Sequence, residues 1–539
     1  MSQGINLGSG RVLHAGRRQV LGGAAAGFAG LAASTSLGKR VWGQTRSLTI
    51  RILADIQILD PAFRLSGVED DVMHCLTNRL VAFRPNDPDW VIENDMAEEI
   101  EQIDPLTVKF RIKKGVPWSG GFGETTTEDV KYSFERIAGL TGLTADYVVD
   151  WQALKEVEII DAYTGVIHLK DPFAPLWASS LPYGSGNIIC KAAVEALADK
   201  RFTTEVPAYN GPYRIREWLP KQKLVLEPNP DWPFEKAAFD ELVLIPIEDG
   251  KAGEIGYMAG ELALSGIDPS SIASLKSAMP ADTTLLTFPP NAYVWMGINA
   301  EQQNADGTPG PLQDINLRRA IQLGVNVPEV LEAAWYGEAQ PSTGIVAPGL
   351  VGHREANLYS FDPDAARKLV GDGGYEGLTL QMAAQNVTWS TSAGQVIAAN
   401  LADIGLQVEL IPMDSGMFWT LGFADSPTVM TNQLILNRFT MAPDASWATE
   451  WFTNHQIGIW NWERFYSDEF EQLNIDGIKE TDRDKRQAIY ARMQDLMEES
   501  GCYVFLTHGV NAFIYNHALM KPALGPDGQN QSLRNHAAA

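Results

Sequence analysis

Cysteine is scarce in this chain: three residues in 539, at positions 75, 190 and 502. An odd count at such wide spacing is no disulfide framework, and nothing resembles CxxC. One bridge or three buried thiols both remain open. Histidine is sparse too. Eight are scattered without metal-ligand spacing, and His508 and His517 read as structural. A bare-ion site is therefore disfavoured, and no resident metal or cofactor is expected. HExxH, a phosphate-binding loop and GxSxG are all missing. Gly184-Ser185-Gly186 lacks the nucleophile-elbow pattern. No catalytic signature is found, and an exported enzyme stays a competing reading. After the leader, no apolar run approaches the ~20 residues needed to span a bilayer. Bases are outnumbered by acids, 42 to 67, for a formal charge of −25. Such a surface repels phosphate backbones and anionic lipid, which removes nucleic acid and membranes as partners.

What is present begins with a leader. Arg17-Arg18-Gln19-Val20-Leu21 precedes the weakly apolar stretch Gly22 to Ala33, then Lys39-Arg40 and Val41-Trp42-Gly43. Basic, apolar, then small-residue exit is the layout of an export signal, and adjacent arginines make it the twin-arginine type. Residues 1–43 are expected to be this signal. Cleavage after Gly43 would release a periplasmic chain starting at Gln44. An amphipathic start that is never removed is the plainer alternative. Length gives about three domains at ~150 residues each. An apolar fraction of 45% is ample for packed interiors.

Periodicity places the elements. SLTIRIL (47–53) reads as a strand. Leu106, Val108, Phe110 and Ile112 alternate with Thr107, Lys109 and Arg111, a half-buried strand. Thr126 and Asp129 stand at capping-box spacing ahead of Val130, Phe134 and Ile137. Residues 157–160 and 166–169 flank a turn at Asp161, and Tyr213 to Leu226 reads as two strands turning at Lys221-Gln222. Asp362-Pro363 opens a helix as N-cap and first residue. Strand 378–382, helix from about Ser392 to Ile404, and strand 406–411 form a parallel crossover unit.

Several ordered segments together resemble the bacterial extracellular solute-binding proteins of family 5. They are LDPA (59–62), NDMAEEIEQIDPLTVKFRIKKGVPWSGG (94–121), TTTEDVKYSFERI (125–137), NGPYRIREW with EPNPDW (210–232), INLRRAIQLGVNVPEVLEAAWYGEAQPS, and FDPDAARKLVGDGGY (361–375). The resemblance implies an α/β, two-lobed periplasmic-binding-protein type II fold with an extra α+β domain inserted in the first lobe. Its implied division is 46–64, 202–287 and 506–539 for lobe I, 65–201 for the insertion and 288–505 for lobe II. It implies a monomeric receptor that closes on a small solute and delivers it to the transmembrane subunits of an ABC permease. An exported α/β enzyme and a receptor for a chelated metal are the competing readings.

Peptide-binding relatives hold the free amine with an aspartate in a "GW..D" stretch. The matching segment here is Asn437 to Asp444, with Met441 at the aspartate and Arg438 at the tryptophan. A guanidinium there suits a carboxylate, so an anionic solute is expected; an ion pair between Arg438 and a protein acid is the alternative. Phe439, Trp389, Trp295 and Tyr147 complete the expected ligand contacts, with core packing the competing role for each. Trp118 and Trp232 are expected to be packing residues.

Overall fold

The alternating segments become strands, and the strands gather into three main sheets. The computed structural model describes residues 46–539 except residue 529. The expected twin-arginine signal lies outside the described residues.

The first-lobe sheet has seven strands. Their order is Thr283–Phe288, Asn511–Asn516, Leu264–Ile267, Ser47–Ile52, Glu241–Pro246, Lys223–Pro228, Tyr213–Leu219. Ser47–Ile52 lies parallel to Glu241–Pro246, in register from Ser47↔Glu241 to Ile52↔Pro246. Leu48, Ile50, Leu242, Leu244 and Leu264 share its buried face.

The insertion carries a four-stranded antiparallel sheet, Ala97–Asp104, Thr107–Ile112, Thr164–Leu169, Leu154–Ile159. Val108, Phe110 and Ile112 enter its core as the alternation requires. Leu106 does not follow them and is 38% exposed. It closes the preceding turn, where Asp104 accepts its N–H at 2.8 Å. Helix Thr127–Ile137 begins with the expected capping box: Asp129 accepts the Thr126 N–H at 2.9 Å. Trp118 Nε1 donates to the same carboxylate at 3.2 Å and is buried, a packing role.

The second-lobe sheet runs Gln407–Met413, Thr379–Gln385, Leu434–Thr440, Ala292–Ile298, Tyr503–Thr507. The crossover unit is present, with Thr379–Gln385 parallel to Gln407–Met413. Its helix spans Thr388–Asp403 and starts four residues earlier than the sequence predicts. Leu434 and Leu436 pack under that helix with Ala393, Ile397 and Leu401.

The chain passes between these two sheets at Pro289 to Asn291 and at His508 to Val510. The passages touch: His508 Nδ1 donates to Ala292 O at 2.7 Å. Gly509 takes a φ of +91°, a value that favours glycine. All three cysteines are free and buried, which settles the open disulfide question. Burial pushes Cys75 up to about 12 and the other two thiols to about 11, so they are inert at neutral pH.

Candidate functional site

The carboxyl end of Leu434–Thr440 carries two of the expected contacts, Arg438 and Phe439. Residues of a strand alternate between faces. Leu434, Leu436 and Arg438 therefore share the helix face, while Ile435, Asn437 and Phe439 share the other. Cross-strand pairing agrees: Arg438 sits opposite Val294 and Phe439 opposite Tyr293.

Arg438 is half-buried, and its guanidinium has no carboxylate, carbonyl or ring partner among the described residues. Burial alone lowers its pKa. The acids nearby in sequence are committed elsewhere. Asp444 accepts Arg486 twice at 2.7 Å and caps helix Ala445–Thr449. Glu450 meets His455 at 2.9 Å and accepts Asn474 Nδ2 at 3.0 Å. The ion pair weighed as the alternative for Arg438 does not form.

On the other face Phe439 belongs to a strip of half-buried aromatics. Ring centroids are 6.0 Å apart for Trp447 and Trp451, 6.3 Å for Trp451 and Trp460, and 6.0 Å for Trp460 and Phe439. Trp419 stacks on Phe439 at 6.0 Å. Such pairs favour offset or edge contacts and present flat apolar surface. Trp447 and Trp451, with Ile478, also line a pocket of about 160 Å³ shared with Val149, Asp150, Phe173 and Pro175 of the insertion.

Trp295 lies beneath this strip and is fully buried, contrary to the expectation that it faces the cleft. Every residue of Ala292–Ile298 is buried, because the sheet is covered on both faces. Trp295 packs 4.9 Å from Phe439 and donates Nε1 to Glu463 at 2.7 Å. Burial raises Glu463 to about 7. Met441 is 7% exposed, with its N–H bonded to Asn291 O at 2.9 Å, so it braces the first passage. Tyr147 sits under Arg64, 3.5 Å from guanidinium to ring, and its hydroxyl donates to Arg64 O at 3.0 Å. Arg64 in turn pairs with Asp150 at 3.5 Å. Tyr147 thus braces an arginine instead of presenting its hydroxyl to the cleft. Trp389 is half-buried in the first turn of its helix and packs on Trp335 at 5.4 Å. Trp419, Trp447, Trp451 and Trp460 escaped the sequence reading. Only the i, i+4 spacing of Trp447 and Trp451 hinted that two of them share a face.

The two-lobed fold thus sets Arg438 and the aromatic strip on opposite faces at one strand end. The profile of the bacterial extracellular solute-binding proteins, family 5 (Middle), matches residues 91–472. The chain belongs to that family. Family 5 proteins bind solutes and are not enzymes. This family 5 protein is 23% identical to the periplasmic oligopeptide-binding protein OppA of Escherichia coli K12, over 94% of each chain. Its fold is similar to that of the ABC transporter substrate-binding protein CtaP from Listeria monocytogenes. There the TM-score is 0.77 and the identity 18%, over 91% of this chain and 99% of that one. It is also similar to MoaA from A. tumefacien R10, solved with mannopinic acid. There the TM-score is 0.70 and the identity 21%, over 92% of this chain and 100% of that one.

Proposed function

We propose that this protein is the periplasmic receptor of an ABC importer, and that its solute carries an anionic group held by Arg438. The observation behind the second half is the guanidinium left without a protein partner at the carboxyl end of a second-lobe strand. A half-buried charge without a partner keeps part of its desolvation cost, so a site that holds one gains from an incoming counter-charge. Open α/β sheets take their ligands at such strand ends. The methionine at position 441 removes the carboxylate that holds a peptide's free amine in relatives, so a zwitterionic peptide is a poor fit. Opine-like conjugates and other organic acids fit better, in keeping with the mannopinic acid bound by MoaA. Phe439 and Trp389 offer apolar contact on either side of the cation.

Capture proceeds by closure of the lobes over the solute, with the flexing confined to the two passages. The closed form is what the permease subunits recognise. The leader assigns export to the twin-arginine route. Calorimetry tests the reading against blocked and free dipeptides, opine-like acids and metal chelates. Binding of an organic acid without turnover, lost in Arg438→Ala, is the expected result. Equal affinity in Arg438→Ala overturns the reading, and turnover overturns the receptor assignment. Saturation at a hundredfold excess over Kd should stabilise the protein by about 2.7 kcal/mol.

A further inference from the structure

The helix that follows Thr379–Gln385 begins without a cap. Its N-cap residue is Val387, which offers no side-chain acceptor, and its first turn contains no acid. The N–H groups of Thr388, Trp389 and Ser390 meet no acceptor among the described residues. A helix start in this state carries exposed donors and the positive end of the helix dipole. Alone that would mean nothing, because water satisfies such groups. Two further observations point to a ligand.

The first is Ser390. It is 0% exposed and lies on the helix face that Ala393, Gly394 and Ile397 bury against the sheet. Its hydroxyl has no partner among the described residues. A buried hydroxyl without a partner leaves a donor free for an incoming oxygen. The second is Arg438. Ala384 pairs with Leu436 in parallel register. Two residues further along each strand stand Asn386, at the entry to the helix, and Arg438. Neighbouring strands are about 4.8 Å apart. Arg438 also points to the face on which this helix packs, as Leu434 and Leu436 do. Register thus sets a guanidinium, an uncapped helix start and an orphaned hydroxyl at the carboxyl ends of two neighbouring strands.

We propose that Arg438, Ser390 and the first-turn N–H groups of helix Thr388–Asp403 form one oxyanion site, which receives the anionic head group of the solute. The proposal rests on the reading of Arg438 as the solute's anchor and adds the second half of its grip. The shared chemistry is a group with two or three terminal oxygens: one takes the guanidinium fork, another takes the helix start. Carboxylate, phosphate and sulfonate all meet it. Trp389, in the same turn, stands beside the head group and reports its arrival by fluorescence.

The test uses the mature protein with three probes, N-acetyl-dialanine, inorganic phosphate and methanesulfonate, read by thermal shift and tryptophan fluorescence. Which probe protects best identifies the head group. In Val387→Asp, a carboxylate supplied from within caps the helix and competes for the site. That variant should keep or raise its own Tm and lose protection by the probe. Ser390→Ala should weaken binding about tenfold through the lost hydrogen bond. Arg438→Gln should weaken it about a hundredfold. If Arg438→Gln loses the probe while Val387→Asp and Ser390→Ala hold it as wild type does, the helix has no part and this inference falls, with Arg438 still the anchor. If Arg438→Gln binds normally, the anchor reading falls with it. Failure of all three probes to protect the wild type at tens of millimolar overturns the oxyanion site outright.

Discussion

Arg136 is fully buried and Arg438 half-buried, and their surroundings differ more than their exposure does. Arg136, on the helix of the insertion, donates to both oxygens of Asp60 at 2.8 and 2.6 Å and to Lys200 O at 2.8 Å. It joins the insertion to the segment entering it from the first lobe. Arg354 and Arg486 are clasped in the same way by Glu498 and Asp444, at 2.7 Å each. Arg438, at the second-lobe strand end, meets no carboxylate among the described residues. Breaking a buried pair leaves an uncompensated charge, whereas removing an unpaired one relieves a cost.

The largest effect should follow from breaking the pair. Asp60→Ala strands Arg136 in the core and should cost about 3–5 kcal/mol by denaturant unfolding. A loss under about 1 kcal/mol would put this pair in the class of exposed bridges and remove one side of the comparison.

Glu463 is a buried carboxyl without a cation among the described residues, hydrogen-bonded to Trp295. Its carboxyl is raised from 4.5 to about 7, chiefly by burial. The sign follows: the stability this group contributes is whole below pH 4.5 and is lost as pH climbs from there through 7. Glu463→Gln keeps the shape and removes the titration. At pH 8 it should be more stable than wild type by about 3 kcal/mol, with the gap closing towards pH 4.5. Parallel unfolding curves at both pH values would show that Glu463 has found a partner. His508 runs the opposite way. Burial lowers it from 6.5 to about 4, so its contribution is present above 6.5 and fades as pH falls through 4.

Arg438→Leu gives a smaller change in the apo protein and completes the contrast with Arg136. It removes an unpaired, half-buried charge, so stability should hold or rise, by about 1 kcal/mol at most. Solute protection should vanish in the same variant. A loss of apo stability comparable to that of Asp60→Ala would mean that the fold itself uses this guanidinium.

The sequence showed clearly what is local and little of what is assembled. Asp362 caps its helix by accepting the Ala365 N–H at 2.9 Å, and Asp161 builds the predicted turn by accepting from Tyr163 and Thr164. Both depend on residues a few positions apart. The start of helix Thr388–Asp403 was placed four residues late for a physical reason. It has no Ser, Thr, Asp or Asn at its N-cap, and that missing residue is what opens the site proposed above. The seven-stranded sheet joins residues near 50, 240, 264 and 514, which no period can announce. Arg438 was legible through its odd place in a resembling segment. The aromatic strip was not, since Trp419, Trp447 and Trp460 come from separate segments and meet only after folding.

The smallest prediction calibrates the others. Thr126 and Asp129 satisfy helix-start donors within the chain, which is what Val387 fails to do at its own helix. Thr126→Ala should therefore cost about 1 kcal/mol of stability and leave solute binding unchanged. Val387→Asp is its mirror image, adding a cap where none exists. If helix starts matter here only as local structure, the two variants should change stability by similar amounts in opposite directions, with binding intact in both. A binding loss confined to Val387→Asp separates the helix start that serves the fold from the one reserved for the solute.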